Sequence, residues 1–238
     1  MIIRSFLFNT AFWLWIFILG MTGLPFCIVH RPFAFTVSRI WARGTLWLLR
    51  MLCGITHEVR GMEYIPKSPS LIASKHQSAW DTVIFWTLLK QPSYVLKREL
   101  IFFPVFGWYL IMLKSISIDR KSGASAMKRM LREAHARMEE NADIIIFPEG
   151  TRIAPGTNGT YHPGVAALYQ HLNLPVTPVA LNSGLFWGKN AFRKKPGRIT
   201  IEFLPPIPPG MKSREFLPLL KERIETASAA LLNGSAAD

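Results

Sequence analysis

A histidine and an aspartate stand five positions apart in the segment Ser74–Asp81, which reads SKHQSAWD. The segment lies between an apolar run at Leu71–Ser74, which predicts a strand, and a helical stretch at Thr82–Lys90. His76 and Asp81 cannot share a face of a regular helix, but they can meet across a strand-to-helix turn. A carboxylate that holds the imidazole N–H makes the ring more basic, as a general base requires.

A purely structural interpretation of the same segment stays open. Ser78 and Asp81 also form the S-x-x-D pattern of a capping box, which by itself accounts for the aspartate. His76 is equally compatible with an ordinary hydrogen-bonded loop histidine. This segment alone therefore does not establish catalysis.

A second segment, residues 144–152, combines a buried-strand pattern with a Pro/Gly turn and reads IIIFPEGTR. The turn brings together a carboxylate, a hydroxyl and a guanidinium, on Glu149, Thr151 and Arg152. Ligands bind at the carboxyl ends of strands in α/β sheets. Gly150 permits close backbone approach, and the planar fork of Arg152 suits phosphate. A plain turn with a surface Glu–Arg pair is the alternative.

Cations follow two further predicted strands. The run Tyr94–Lys97 ends in Lys97 and is followed at once by Arg98, and Arg120 follows the run Ser115–Ile118 by two residues. Each of these is weak evidence alone. Three strand ends that carry cations, together with a His–Asp pair at a fourth, indicate a site for an anionic ligand at one edge of a sheet.

The elements that must position these residues follow from the hydrophobic pattern. Helical periods separate many of the short apolar runs, the clearest at Ser122–Asn141, and a last helix is predicted at Ser213–Leu232. This alternation predicts an α/β fold with a mainly parallel or mixed sheet flanked by helices. The predicted strands are Glu58–Tyr64, Leu71–Ser74, Tyr94–Lys97, Ser115–Ile118, Asp143–Phe147, Val176–Ala180 and Ile199–Leu204.

The N-terminus has the composition of a membrane anchor. Ser5–Val29 contains no charged residue and is long enough to cross the ~30 Å hydrocarbon core. The cluster Gly20–Pro25 favours a turn, so the segment either spans the bilayer or dips in and returns. Phe33–Leu52 carries arginines and tryptophans in a pattern typical of an interfacial helix, with a core helix as the alternative. We expect residues 1–53 to anchor the chain and 54–238 to form the α/β domain.

Composition agrees with a lipid-facing protein. The 238 residues are 50% hydrophobic and carry a formal net charge of +13. This charge suits a polyanionic partner, and the apolar content favours an anionic lipid surface over nucleic acid, for which no zinc-finger spacing or RNP-like run is present. The two cysteines imply no disulfide framework, and the six histidines form no metal-ligand pattern. Most basic residues of the first 60 follow the apolar run, which predicts a cytoplasmic domain at a membrane, the inner membrane in a bacterium.

Four segments in this order resemble the glycerolipid acyltransferase family, in particular its lysophosphatidic acid acyltransferases (1-acylglycerol-3-phosphate O-acyltransferases). HQSAWD matches the H-x4-D block, SISIDR resembles the block that ends in I-D-R, and FPEGTR matches the E-G-T-R block. Val176–Leu181 resembles the fourth, apolar block with its proline. The resemblance covers roughly residues 56–210. In one departure, Lys75 stands where many members have Asn.

The resemblance implies a function and a set of roles. His76 would be the general base that activates the free hydroxyl of lysophosphatidic acid, which attacks the thioester of acyl-CoA or acyl carrier protein. Asp81 would fix the tautomer of His76 and stabilise the imidazolium. No metal and no cofactor beyond that acyl-donor substrate is expected. The implied partners are membrane lipids, the lysophospholipid acceptor and the acyl donor, with no nucleic acid. The residues implied in acceptor binding are Lys97, Arg120, Glu149, Gly150, Thr151 and Arg152.

Other functions remain open at this point. Within the same chemistry, the acceptor could be glycerol-3-phosphate or a lyso-ornithine lipid, and the latter would leave the arginines without a phosphate. A hydrolase or a lipid transacylase could use the same scaffold. A non-catalytic membrane-surface protein could also keep the fold. Acceptor-dependent release of free thiol distinguishes acyl transfer from hydrolysis, and an acyl-transfer assay on purified protein tests the non-catalytic alternative.

Overall fold

The computed structural model describes residues 1–119 and 122–234. Within them the chain forms seven α-helices and seven strands that largely alternate after the first two helices. In chain order these are α1 (Ile2–Val29), α2 (Phe33–Leu48), β1 (Ile55–Arg60), β2 (Ser70–Ser74), α3 (Trp80–Leu88), β3 (Pro92–Lys97), α4 (Phe106–Met112), β4 (Ile116–Ile118), α5 (Gly123–Glu139), β5 (Asp143–Ile146), α6 (Gly164–Leu172), β6 (Val176–Leu181), β7 (Gly197–Phe203) and α7 (Ser213–Gly234).

All seven strands form one sheet in the order β1-β7-β6-β2-β5-β3-β4. Neighbouring strands are parallel except β6 and β7, which are antiparallel. The predicted mixed α/β sheet is therefore confirmed, and each predicted strand overlaps an observed one. The largest shift is at β1, which ends at Arg60 and not at the predicted Tyr64. Gly61 adopts a positive φ of 64° there and turns the chain away.

Helices cover both faces of the sheet. Side chains from α1, α2, α3 and α4 pack with Ile72 and Ile145 in one buried apolar cluster. Side chains from α5, α6 and α7 pack with Leu71 and Ile144 in a second cluster. Neighbouring residues of a strand belong to different clusters because successive side chains point to opposite faces. The two layers hold the sheet, and the loops at the carboxyl ends of its parallel strands supply the candidate site.

The apolar run at the N-terminus forms one uninterrupted helix. Because α1 continues through Gly20–Pro25, the turn predicted for that cluster is wrong. The glycines serve close packing instead. A Cβ at Gly20 would lie 2.2 Å from Val105 Cγ1, and one at Gly23 would lie 2.8 Å from the Tyr109 hydroxyl. The Tyr109 hydroxyl donates to the Gly20 carbonyl at 2.9 Å, so α4 lies directly against α1.

The opposite side of α1 is an exposed apolar surface. Among the described residues, α1 is the one helix long and apolar enough to cross a membrane, and only 17% of its most apolar stretch is buried. A helix face of this extent is stable against an apolar phase and not against water. The helix therefore indicates membrane association. Its large exposed side chains include Trp13, Leu14, Phe17, Ile18 and Phe26.

The second helix combines both characters considered for it. It ends at Leu48, four residues before the predicted end, because Leu49–Cys53 form a π-helical turn that Gly54 closes in a left-handed conformation. Val37 is buried in the core, whereas Trp47 is exposed. Since α1 and α2 share their core cluster with the α/β part, the division into anchor and catalytic domain stays a prediction.

Candidate active site

His76 lies in the short turn between β2 and α3. Its Nδ1 is 2.9 Å from Asp81 Oδ2, which confirms the contact predicted across the strand-to-helix turn. The Asp81 side chain is fully buried, and that of His76 is 15% exposed. Because a carboxylate accepts the proton on Nδ1, the neutral ring keeps Nε2 unprotonated. The ring can therefore accept a proton at Nε2 while the Asp81 carboxylate stays buried and hydrogen-bonded to Nδ1.

Asp81 accepts hydrogen bonds from several donors at once. Its Oδ2 accepts from the backbone N–H of Gln77 at 2.6 Å and of Ser78 at 2.8 Å, as well as from His76. Its Oδ1 accepts from the Ser183 hydroxyl at 2.5 Å. The capping and catalytic interpretations are thus compatible. One carboxylate closes the turn at the start of α3 and orients the imidazole.

A second turn holds His76 from the neighbouring strand. Since β2 and β5 are adjacent and parallel, the turn after β5 meets the turn after β2. The Phe147 ring stacks on the imidazole with centroids 4.0 Å apart. The Ile153 N–H donates to the His76 carbonyl at 2.8 Å, and the His76 N–H donates to Glu149 Oε2, also at 2.8 Å. The backbone and ring of His76 are therefore fixed independently of Asp81.

The Glu149 carboxylate points into the protein. Its Oε1 lies 2.6 Å from Lys75 Nζ, and Lys75 also pairs with Glu225 of α7 at 2.7 Å. Burial raises the pKa of Glu149 to about 7, against the lowering effect of Lys75, while Glu225 adds to the increase. Glu149 was expected to shape the acceptor pocket. Its carboxylate does so only indirectly, because among the described residues it is not part of the cavity lining.

A cavity of about 720 Å³ opens beside His76 at the carboxyl edge of the sheet. Its volume falls within the range of pockets that enclose small ligands. Its wall is largely apolar, with side chains from α1 to α5, from the strands and from the loops between them. Lys97, Gly150, Thr151 and Arg152 all line it, so the structure brings these four predicted residues together with His76. Arg120, the remaining predicted residue, lies outside the described ranges.

Two side chains at the site carry no motif in the sequence. Ser183 follows β6 and reaches Asp81 from 102 residues away. Lys189 also lines the cavity, and its Nζ donates to the Thr151 hydroxyl at 3.3 Å. Sheet order explains both, because β6 lies directly beside β2. Neither position could be assigned before the strands were ordered.

Metal ligands show no comparable grouping. Within the described part of the chain, no three or more His, Cys, Asp or Glu side chains are arranged to hold a metal ion. The expectation of a reaction without metal or cofactor stays a prediction, since its test is an assay of the protein.

Comparison with known proteins places the chain in a family. Residues 56–182, more than half of the chain, match the family model described as Acyltransferase. The 1-acyl-sn-glycerol-3-phosphate acyltransferase of Pseudomonas aeruginosa is 43% identical over 178 residues, which cover 75% of this chain and 68% of that protein. The enzyme of the same name from Limnanthes alba is 33% identical over 162 residues, 67% of this chain and 57% of that protein.

The fold has a solved counterpart. The crystal structure of the 1-acyl-sn-glycerophosphate (LPA) acyltransferase from Thermotoga maritima is 21% identical, with a TM-score of 0.77. The superposition covers 96% of this chain and 95% of that one. From the matched segment, the identity with the Pseudomonas enzyme and the shared fold, the chain belongs to the acyltransferase family.

Proposed function

We propose that the protein transfers a fatty-acyl chain from acyl-CoA or acyl carrier protein to the free hydroxyl of lysophosphatidic acid, which gives phosphatidic acid. The observation that carries this proposal is the His76–Asp81 pair beside a largely apolar cavity that also contains cations. The names of the Pseudomonas and Limnanthes relatives support the same acceptor. The product is a phospholipid precursor, so the reaction belongs to phospholipid synthesis.

In the proposed reaction His76 is the general base. Its Nε2 takes the proton of the acceptor hydroxyl while the hydroxyl oxygen attacks the thioester carbonyl. The new C–O bond forms, the C–S bond breaks, and the imidazolium returns the proton to the leaving thiolate. Asp81 stabilises the imidazolium between these steps, as the acid of a Ser-His-Asp triad does. No nucleophilic side chain and no acyl-enzyme are needed.

The electrostatics of the cavity support an acceptor with a phosphate. Lys97, Arg152 and Lys189 line it, and among the described residues its lining contains no Asp or Glu. Charge-assisted contacts from such groups to phosphate are short and strong. Arg120 is proposed to join them from the sequence. A lyso-ornithine lipid offers no phosphate to this site, and glycerol-3-phosphate offers phosphate but no chain for the apolar wall.

Membrane placement follows from the same substrate. A lysophospholipid keeps its chain in the bilayer, and each CH₂ exposed to water costs about 0.8 kcal/mol. We propose that residues 1–53 hold the enzyme at the membrane with residues 54–238 on the cytoplasmic side. The exposed apolar face of α1 supports this placement.

The decisive experiment offers purified full-length protein a panel of acceptors with acyl-CoA and acyl carrier protein donors. We expect free thiol to appear only when lysophosphatidic acid is present. His76→Ala should lower kcat by about 10²–10⁴-fold, the usual contribution of a general base. His171→Ala, an exposed histidine on α6, is the control and should leave kcat unchanged. Thiol release without acceptor would show a hydrolase, and a folded His76→Ala protein with normal turnover would remove His76 from the mechanism.

A further inference from the structure

A buried ion cluster lies next to the backbone of His76. Lys75 Nζ is 2.6 Å from Glu149 Oε1 and 2.7 and 2.9 Å from the two carboxylate oxygens of Glu225. The side chains of Lys75 and Glu149 are 2% and 0% exposed, and that of Glu225 is 17% exposed. Lysine is almost never buried this deeply unless it is paired. Lys75 is therefore stable in this position only because carboxylates surround it.

The titratable groups that face Glu149 come from different parts of the fold. Lys75 and His76 belong to the turn after β2, and Glu225 belongs to α7. Tyr161 precedes α6, and its hydroxyl donates to Glu225 Oε1 at 3.2 Å. Burial and the neighbouring carboxylates raise the pKa of Tyr161, so its hydroxyl remains a proton donor at neutral pH.

The cluster contains one cation and two carboxylates. With both carboxylates ionised it would hold a net negative charge away from water, which is unfavourable. A proton on Glu149 relieves that charge, in agreement with its raised pKa. Lys75 favours the ionised form of Glu149, whereas Glu225 opposes it.

We propose that Lys75 and Glu225 are positioning residues whose opposing charges set how fully Glu149 is ionised, and thereby how firmly Glu149 holds the backbone of His76. The inference rests on the proposed function, in which His76 is the general base. An ionised carboxylate accepts the His76 N–H in a charge-assisted hydrogen bond, which is about twice as strong as a neutral one. A small displacement of a catalytic group is enough to slow a reaction substantially.

Lys75 connects the turn after β2 to the C-terminal helix α7. An uncharged residue at position 75 would leave Glu225 without its cation. Glu225 lies 150 residues further along the chain and outside the segment that matches the family model. The C-terminal helix thus contacts the catalytic turn through a pair of residues that the motif does not contain.

The experiment compares three variants of the full-length protein with two controls. Lys75→Met removes the cation, Lys75→Arg keeps it, and Glu225→Gln removes the opposing carboxylate. Exposed residues on α5 and α7 provide matched controls, Lys128→Met and Glu222→Gln. For each protein, kcat and the acceptor KM are measured from about pH 6 to 9, where the acid limb of kcat reports groups in the enzyme–substrate complex. The thermal midpoint is measured over the same range.

We expect the two charge changes to move the acid limb of kcat in opposite directions. Lys75→Met should move it to higher pH by about one unit, equal to an about tenfold lower kcat on that limb. Glu225→Gln should move it to lower pH. Lys75→Arg should restore the wild-type position at least in part, and the acceptor KM should stay constant throughout. The two controls should match the wild type.

A purely structural role predicts a different result. It would lower activity equally at every pH, together with the thermal midpoint, and Lys75→Arg would be no better than Lys75→Met. An unchanged acid limb in Glu225→Gln, or a shift in the same direction as Lys75→Met, would overturn the proposal. If Lys75→Met does not fold, Glu225→Gln and Lys75→Arg decide the question by themselves.

Failure of the proposed function has a separate signature. If the wild type transfers no acyl chain to any acceptor, the catalytic assignment fails, but the ion cluster can still be tested through stability. Because the pKa of Glu149 is raised in the folded protein, stability should fall as pH rises through about 7. In Glu225→Gln this decline in stability should end at a lower pH, because the carboxylate that raises the pKa of Glu149 is gone. An unaltered decline would reject the cluster independently of activity.

Discussion

The two carboxylates that contact His76 are both buried, but they are held in different ways. Asp81 accepts two backbone N–H groups from its own turn and a hydroxyl from Ser183. Glu149 accepts one backbone N–H and otherwise depends on Lys75, which it shares with a second carboxylate. The backbone N–H groups that Asp81 accepts take up their positions as soon as the turn folds, and they carry no charge. A shared cation makes Glu149 sensitive to charges that come from distant segments.

This difference predicts that Asp81 is the more damaging position to change. Asp81→Asn should lower kcat by about 10²–10⁴-fold, because the imidazolium loses its counter-charge and the amide cannot fix the same tautomer. It should also cost about 0.5–2 kcal/mol of stability through the weakened cap of α3. Acyl-transfer kinetics and thermal unfolding measure the two effects separately.

The matched control for Asp81 is Ser78→Ala. The Ser78 hydroxyl accepts the Trp80 N–H at 3.1 Å, so this change weakens the same cap but keeps the carboxylate. We expect a comparable loss of stability with kcat retained. If Asp81→Asn folds and keeps near-normal kcat, Asp81 is only a cap, and its contrast with Glu149 has no catalytic meaning.

The local half of the site could be predicted from the sequence. The His76–Asp81 contact needs only the geometry of a strand-to-helix turn and five residues of spacing. The strands could also be predicted, because short β-branched segments between helical stretches have few other interpretations. Boundaries were less certain where one glycine decides them, as Gly61 does at the end of β1.

The remaining features depend on contacts between distant segments. Ser183 acquires its contact only when β6 pairs with β2, and Glu225 only when α7 packs against β6. No local pattern encodes either arrangement. The sequence left a continuous α1 undecided for a related reason. Gly20 and Gly23 have the composition of a turn, but their close contacts with α4 keep the helix intact. Composition alone does not distinguish a turn from a helix that needs small residues for packing.

The phosphate-binding side of the cavity should respond in KM and not in kcat. Arg152→Ala should raise the acceptor KM by about 10–150-fold, the equivalent of one charge-assisted contact of roughly 1.5–3 kcal/mol. The donor KM should stay constant. Arg132→Ala, an exposed arginine on α5, is the control. A rise in the donor KM with an unchanged acceptor KM would assign Arg152 to the acyl donor instead.

Ser183→Ala tests the hydrogen bond that Asp81 accepts from a distant segment. The change leaves the buried Oδ1 of Asp81 without its hydroxyl donor, which should cost about 1–3 kcal/mol of stability. We expect kcat to fall by about tenfold or less, because the backbone donors still hold Oδ2. Ser125→Ala on the exposed face of α5 is the control. Unchanged stability and kcat would show that the backbone donors alone position Asp81.

The smallest expected effect on stability concerns Glu149 and appears only when pH is varied. The folded-state pKa of Glu149 is about 7, above its ordinary value of 4.5, so the folded protein binds the proton more tightly than the unfolded chain. The favourable contribution is complete below about pH 4.5 and is lost as pH rises through about 7. Glu149→Gln cannot titrate, and its amide oxygen can still accept the His76 N–H. The variant should therefore lack this part of the decline in thermal midpoint between about pH 5 and 8, while Glu222→Gln should keep it. If the two variants decline equally, Glu149 does not titrate in this range, and it would resemble Asp81 more closely than its shared lysine suggests.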